Sequence, residues 1–123
     1  VLVVDDDEFN LMVIASHLPQ PPLQVTTAVN GRLALQAATH SRPDVVIMDV
    51  EMPIMGGLEA LARIREYQAA QGQTPSYMVA YSGNDDPQSI EKFHAAGFDH
   101  CLKKPSGRES VLAVLAQAAA AAH

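Results

Sequence analysis

The chain contains little cysteine, few basic residues and no long apolar run. Its single cysteine, Cys101, excludes an internal disulfide and is compatible with a reducing compartment. Eight Lys and Arg residues stand against fourteen Asp and Glu, a formal charge of −6, which argues against general binding to nucleic-acid backbones. No apolar stretch approaches the ~20 residues that span a bilayer, and no secretory leader pattern opens the sequence. These absences favour a cytoplasmic domain without direct nucleic-acid or membrane contacts.

The length fits one compact domain. With 123 residues, 48% of them hydrophobic, the chain can bury a substantial core but cannot accommodate a second domain. We therefore interpret residues 1–123 as a single domain. Because Val1 already lies inside a strand pattern, we expect a piece of a longer protein whose first strand is truncated at its start. Residues 118–123 form a low-complexity, alanine-rich tail.

Short β-branched runs alternate with longer segments of helical period. The third run is continuously apolar, which is typical of a strand that is buried on both faces. The helical segments carry apolar residues three and four positions apart. The predicted strands are Val1–Val4, Gln24–Val29, Val45–Met48, Met78–Tyr81 and His100–Lys103, and the predicted helices are Glu8–Leu18, Leu33–Thr39, Leu58–Ala70, Gln88–Ala96 and Ser110–Ala119.

This alternation predicts a doubly wound α/β sandwich. Right-handed crossovers would place five strands in one parallel sheet, with five helices on its two faces. In such sheets functional groups gather beyond the carboxyl ends of the strands. Asp5, Asp6, Asp49, Ser82 and Lys104 all lie at predicted strand ends. We expect them to meet in one pocket, where the clustered carboxylates require a cation.

Four short segments lie at these strand ends, in order and at compatible separations. They are Val3-Val4-Asp5-Asp6, then Asp49 with Met52-Pro53 and Gly57, then Ala80-Tyr81-Ser82-Gly83, then Lys104-Pro105. Together they resemble the response regulator receiver domain, the CheY-like phosphoacceptor module of two-component signalling. The resemblance covers essentially the whole chain and implies a flavodoxin-like fold. It is closer to receivers of hybrid sensor histidine kinases than to those of DNA-binding regulators.

The resemblance implies a role for each polar group. Asp49 would be the nucleophile that accepts a phosphoryl group from a phosphohistidine and later loses it by slow hydrolysis. Lys104 would pair with Asp49 before phosphorylation and with a phosphoryl oxygen afterwards. Ser82 would donate its hydroxyl to another phosphoryl oxygen, and that movement would be the conformational switch. A cis Lys104-Pro105 peptide would aim the lysine inward.

The resemblance also implies a metal ion. Mg²⁺ prefers oxygen ligands in octahedral geometry and keeps several waters, and Mn²⁺ is compatible with the same ligands. Asp6 and Asp49 would bind directly, Asp5 through water, and Glu51 through its backbone carbonyl. Glu51 and Tyr81 are predicted at the rim of the pocket.

The partners implied are those of a phosphorelay. We expect a histidine kinase or histidine phosphotransfer domain as the phosphodonor, and an output domain or protein downstream. The parent chain would be a hybrid histidine kinase, whereas this domain would not itself be an enzyme with an external substrate. Weak homodimerisation is a further expectation of the resemblance.

Several alternatives remain open from the residues. Acidic residues at a strand-to-helix junction commonly cap the helix, and Asp7 with Glu8 fits that role. A small Mg²⁺-dependent hydrolase would also use Asp49 as nucleophile, although the sequence places no general acid beside it. A docking module that is never phosphorylated would share the fold, although such modules usually lose an acidic, hydroxyl or lysine position.

Two positions depart from the family pattern. Cys101 lies three residues before Lys104, where receivers usually carry Tyr or Phe, and we hypothesise that signalling through the fourth helix and fifth strand is weakened or rerouted. Gly56 replaces the acidic residue that commonly precedes Gly57, which loosens the loop after Asp49.

Overall fold

The computed structural model describes residues 1–20, 23–52, 55–84, 86–104 and 106–121. The predicted cis peptide before Pro105, together with Pro53 and the end of the alanine-rich tail, lies outside these ranges. Within them no helix has the length and apolarity that crossing a membrane requires. The elements are β1 (Leu2–Val4), α1 (Glu8–His17), β2 (Thr26–Ala28), α2 (Gly31–Ser41), β3 (Val45–Asp49), α3 (Gly57–Ala70), β4 (Tyr77–Ser82), α4 (Pro87–Ala96), β5 (His100–Lys103) and α5 (Arg108–Ala121).

The strands form one parallel sheet in the order β2-β1-β3-β4-β5. The chain moves from β1 to one edge and then returns past β1 to β3, so the strand order reverses at the β1/β3 boundary. Ligand sites of open α/β sheets lie at this reversal, beyond the carboxyl ends of the strands. The described residues thus confirm the predicted doubly wound fold.

The core has two halves, one on each face of the sheet. Successive side chains of a strand point to opposite faces, so in β3 Val46 and Met48 join one cluster while Val45 and Ile47 join the other. The first cluster receives buried residues of α2, α3 and α4, and the second receives those of α1 and α5. The second includes Ala118, so the start of the predicted tail is part of the core. Both faces of the central strands are therefore covered.

Capping side chains set where several helices begin. Asp7, Asn30 and Asp86 each accept a hydrogen bond from a backbone N–H in the first turn of α1, α2 and α4. Because Asn30 caps α2, this helix starts two residues earlier than its apolar pattern predicts. By contrast, β2 is shorter than predicted, since it lies at the sheet edge and pairs only with β1.

A buried polar network supports the opposite end of the sheet, and the sequence did not reveal it. Gln68 and Ser76 are each 2% exposed. The Gln68 amide donates to the Ser76 hydroxyl at 2.7 Å and accepts from the Ser76 backbone N–H at 3.2 Å. The Ser76 hydroxyl in turn donates to the carbonyl of Pro43. This network ties the last turns of α3 to the residue before β4 and so anchors the connection between them.

We expect Ser76→Ala to lower the free energy of unfolding by about 1–3 kcal/mol, because it leaves a buried amide donor and a buried carbonyl without partners. Urea denaturation monitored by circular dichroism measures this loss. Thr74→Ala, at an exposed position of the same connection, is the matched control and should change stability by less than about 0.5 kcal/mol. Equal midpoints for the two variants would show that the network contributes little.

Candidate functional site

The five predicted polar positions lie at the carboxyl edge of the sheet, four of them at a strand end or directly after it. Asp5 follows β1, Asp49 and Ser82 end β3 and β4, and Lys104 follows β5. Asp5, Asp49 and Ser82 are only 1%, 2% and 3% exposed. Buried polar groups of this kind require compensating partners. The pocket is therefore built from groups that the fold has removed from most of their water.

Lys104 supplies the positive charge of the pocket. Its ammonium nitrogen Nζ lies 3.0 Å from Oδ2 of Asp49 and 3.3 Å from Oδ2 of Asp5. Although Asp5 Oδ2 lies in this ion pair, it accepts no hydrogen bond from the described residues. One lysine therefore serves two buried carboxylates, and one carboxylate oxygen still lacks a hydrogen-bond donor.

The backbone fixes the other oxygen of each carboxylate. Oδ1 of Asp5 accepts from the N–H of Asp7 at 2.9 Å, and Oδ1 of Asp49 accepts from the N–H of Glu51 at 3.0 Å. Each bond closes a turn between an aspartate and the residue two positions later. The two Oδ2 atoms are thereby left to converge on Lys104.

Burial and charge act against each other in this pocket. Burial raises the pKa of Asp49 to about 6, while Lys104 and the Glu51 N–H oppose the rise and the charge of Asp5 adds to it. Burial alone would lower the pKa of Lys104, but the two carboxylates raise it above its ordinary value. Lys104 therefore stays protonated, and a negative charge on Asp49 is costly without a further cation.

The acidic residues suit a divalent cation. Carboxylate oxygens of Asp5, Asp6 and Asp49 lie within 4.8 Å of one another. Asp6 is exposed, so an ion can exchange with solvent at this position. Asp5 Oδ2 accepts no hydrogen bond from the described residues, and this all-oxygen set fits Mg²⁺ or Mn²⁺. The Glu51 carbonyl as a fourth ligand stays a prediction.

Helix capping accounts for part of the acidic run, as the alternative interpretation anticipated. Asp7 is the N-cap of α1, and its carboxylate accepts from the Phe9 N–H at 2.9 Å. Glu8 lies in the first turn, where the helix dipole favours negative charge. Asp5 instead points into the pocket with Lys104. Asp7 and Glu8 thus belong to the start of α1, whereas Asp5 belongs to the pocket.

Asn84 is a site residue that sequence reasoning missed. Its backbone N–H donates to the Ser82 hydroxyl oxygen at 3.0 Å, and its side-chain amide donates to Oε1 of Glu51 at 2.8 Å. Asn84 thus joins the loop after β4 to the loop after β3. Asn84 follows Ser82 by two residues, just as Glu51 follows Asp49 by two. That spacing was the signal from which the sequence could have indicated Asn84.

Glycine is required directly behind Asp49. A Cβ at Gly57 would lie 2.6 Å from the Asp49 carbonyl oxygen and 2.7 Å from Cα of Val50, distances that backbone atoms cannot relieve without shifting. Gly56 faces no such contact, and as N-cap of α3 it makes no side-chain capping bond. The close approach at Gly57 places the start of α3 against the end of β3.

Tyr81 corrects a prediction about the rim. Glu51 is exposed, as expected there, but Tyr81 is only 4% exposed and belongs to the core cluster on the α1/α5 face. Successive side chains of β4 point to opposite faces of the sheet, and Tyr81 points to the face that α1 and α5 cover. Tyr81 therefore lies beneath the pocket and not at its opening.

Cys101 lies on the other face. It is half-buried against the first core cluster, and burial raises the pKa of its thiol, which favours a structural role over a nucleophilic one. A cavity of about 60 Å³ adjoins it between β5 and α4, lined also by Ser82, Asn84, Ile90 and Phe93. Cys101 and Ser82 thus border the same cavity.

Known proteins are similar to this chain in sequence. The sequence profile of the family described as "Response regulator receiver domain" matches residues 1–116. The virulence sensor protein BvgS of Bordetella bronchiseptica is 36% identical over an alignment of 124 positions, which covers 99% of this chain but 10% of BvgS. The chain therefore spans about a tenth of that relative's length.

Solved structures agree in fold. The chemotaxis response regulator CheY4 of Vibrio cholerae superposes with a TM-score of 0.84 at 29% identity, covering 95% of each chain. The receiver domain of the sensor histidine kinase PA1611 from Pseudomonas aeruginosa superposes with a TM-score of 0.78 at 27% identity, covering 94% of this chain and 93% of that one. The latter structure holds a magnesium ion coordinated in its active-site cleft.

We expect Asp49→Asn to stabilise the metal-free protein as pH rises. The pKa of Asp49 is raised from 3.8 to about 6 in the folded chain, so the native state binds more protons than the unfolded state between these values. Wild-type stability should fall across this window relative to the variant, by up to about 3 kcal/mol. Urea denaturation in EDTA from pH 4 to 7 measures the difference. Asp44→Asn, at an exposed carboxylate, is the control, and a parallel response of both variants would contradict the burial argument.

Proposed function

The chain belongs to the response regulator receiver domain family, and we propose that its Asp49 accepts a phosphoryl group from a phosphohistidine in an Mg²⁺-dependent reaction. Receiver domains act in two-component signalling, in phosphorelays with histidine kinases. The observation that carries the residue assignment is the ion pair of Lys104 with both Asp49 and Asp5 in a buried acidic pocket. It joins a nucleophile, a cation and a potential metal site within one cluster.

The transfer exchanges one bond to phosphorus for another. A carboxylate oxygen of Asp49 attacks the phosphorus, the bond from phosphorus to the imidazole nitrogen breaks, and that nitrogen keeps the electron pair. The product is an acyl phosphate on Asp49. When bound by Asp5, Asp6 and Asp49, Mg²⁺ would supply positive charge to the phosphoryl oxygens. The deprotonated form of Asp49 is the nucleophile, and Lys104 favours that form.

Lys104 and Ser82 hold the product. The Lys104 ammonium lies 3.0 Å from Asp49, so a small side-chain shift transfers it from the carboxylate to a phosphoryl oxygen. The Ser82 hydroxyl oxygen accepts from Asn84, which leaves its proton available for another phosphoryl oxygen. Movement of Ser82 toward that oxygen is the proposed switch. The adjoining cavity gives it room to rearrange.

Slow hydrolysis of the acyl phosphate completes the cycle. Water must reach a phosphorus atom held at a residue that is only 2% exposed. The hydrogen bond between Asn84 and Glu51 lies across the loops that flank the pocket. We infer that the domain carries a phosphoryl group and does not turn over an external substrate.

The proposed partners follow from the relatives. BvgS is a sensor protein and PA1611 is a sensor histidine kinase, which supports a hybrid kinase as the parent chain. We propose a histidine kinase or histidine phosphotransfer domain as phosphodonor, an output domain or protein downstream, and a cytoplasmic location. We also propose weak homodimerisation, which rests on the family resemblance alone.

We expect intact-mass spectrometry to detect one added, base-labile phosphoryl group after incubation with acetyl phosphate and Mg²⁺. Asp49→Asn should show no addition, because the nucleophile is gone, and EDTA should abolish addition to the wild type. Asp44→Asn removes an exposed carboxylate from the opposite edge of the sheet and should react normally. Addition to Asp49→Asn would overturn the assignment, and no addition to the wild type would favour a docking module.

We expect Cys101→Tyr to increase the spread of chemical-shift changes from Asp49 to α4 when the domain is phosphorylated. The cavity beside Cys101 leaves Ser82 poorly coupled to α4 by packing, and a larger side chain restores contacts there. Two-dimensional NMR of both proteins, with and without phosphorylation, measures the spread. Identical patterns would mean that the thiol does not weaken this route.

A further inference from the structure

Tyr81 contacts the chain on both sides of position 105. The Lys104 ammonium nitrogen lies 5.2 Å from the centroid of the Tyr81 ring. The Tyr81 hydroxyl accepts a hydrogen bond from the backbone N–H of Ser106 at 3.4 Å. One aromatic side chain therefore reaches both the charged end of Lys104 and the backbone that follows it.

The sheet holds Tyr81 firmly in place. In the parallel ladder it lies level with Asp49 of β3 and with Leu102 of β5. The Lys104 backbone N–H donates to the Ser82 carbonyl at 2.8 Å, which ties the chain after β5 to the end of β4. The ring has two rotatable bonds and is buried, whereas the lysine side chain has four rotatable bonds and remains 24% exposed. The tyrosine is thus the rigid member of the pair.

The ring face attracts an ammonium group over a range of positions. A cation within about 6 Å of an aromatic centroid is drawn to the negative face of the ring, and the attraction grows when water is excluded. A carboxylate attracts the same ammonium more strongly but holds it at its own oxygens. The ring is therefore suited to keep Lys104 in the pocket while its charged partner changes.

We propose that Tyr81 is a positioning residue that holds the Lys104 ammonium in the pocket through the face of its ring. This inference rests on the proposed function, in which Lys104 exchanges the Asp49 carboxylate for a phosphoryl oxygen. The ring face keeps its contact as the ammonium moves, so fewer side-chain conformers are lost when the phosphoryl group arrives.

A role in core packing alone makes a different prediction. Tyr81 belongs to a cluster with Val3, Ile47 and Val111, and another large apolar side chain would also fill that space. Tyr81→Leu removes the ring face and keeps an apolar core residue, whereas Tyr81→Phe keeps the face and removes only the hydroxyl. Comparison of these two variants separates positioning from packing.

The first measurement is NMR of the metal-free protein, and it does not depend on phosphorylation. The ring should shift the Lys104 ε-methylene protons upfield in wild type and in Tyr81→Phe, and this shift should vanish in Tyr81→Leu. Thermal unfolding checks that each variant is folded. Should Tyr81→Leu fail to fold, Tyr81→Met replaces it, because the flexible thioether fills irregular space.

The second measurement is the rate of phosphorylation by acetyl phosphate at saturating Mg²⁺. We expect Tyr81→Leu to react about five- to thirtyfold more slowly and Tyr81→Phe to stay within about twofold of wild type. In a Lys104→Met background the Tyr81→Leu change should cause no further loss, because the cation that the ring holds is absent.

Three results would overturn the inference while leaving the proposed function intact. They are a normal rate for Tyr81→Leu, an equal loss for Tyr81→Phe, and a full additional loss in the Lys104→Met background. Absence of the ring shift in wild type would overturn the contact itself. A wild type that accepts no phosphoryl group would refute the proposed function, and the role of Tyr81 in the transfer with it.

Discussion

The structure depends on the cost of burying like charges at one edge of the sheet. Asp5 and Asp49 are almost fully buried and share the single ammonium of Lys104. Each removal of a charge from water is expensive unless a partner compensates it. One cation cannot neutralise two carboxylates, so the pocket retains a demand for positive charge. That demand is the physical reason for proposing a divalent cation at this edge.

The fold limits the free-energy cost of burying these charges by fixing the charged groups at strand ends. Asp49 ends a strand that is buried on both faces, and Gly57 lets α3 begin directly against the backbone behind it. At the far end of the sheet, Gln68 and Ser76 satisfy each other and anchor the connection into β4. The two edges differ in kind. One has its buried polar groups paired, whereas at the other Asp5 Oδ2 lies in an ion pair with Lys104 but accepts no hydrogen bond from the described part of the chain.

Sequence reasoning predicted the elements and the convergence of the polar positions, because both follow from short-range patterns and parallel topology. The apolar run before Asp49 and the caps Asn30 and Asp86 are local signals. Tyr81 and the pair formed by Gln68 and Ser76 were not predictable in this way. Their roles depend on which distant groups the folded chain brings beside them, and no residue spacing encodes that. Tyr81 was assigned to the rim because a sequence shows the type of a side chain but not the direction in which it points.

The two faces of the sheet surround the pocket unequally. On the α5 side, the Tyr81 ring fills the core beneath Lys104 and contacts its ammonium. On the α4 side, Cys101 and Ser82 line a cavity of about 60 Å³. A group that borders empty space loses few contacts when it moves, whereas a group in close contact shifts its neighbours with it. Lys104 and Tyr81 are thus in contact at the pocket, whereas Ser82 borders a cavity, and this difference in packing favours rearrangement on the α4 side.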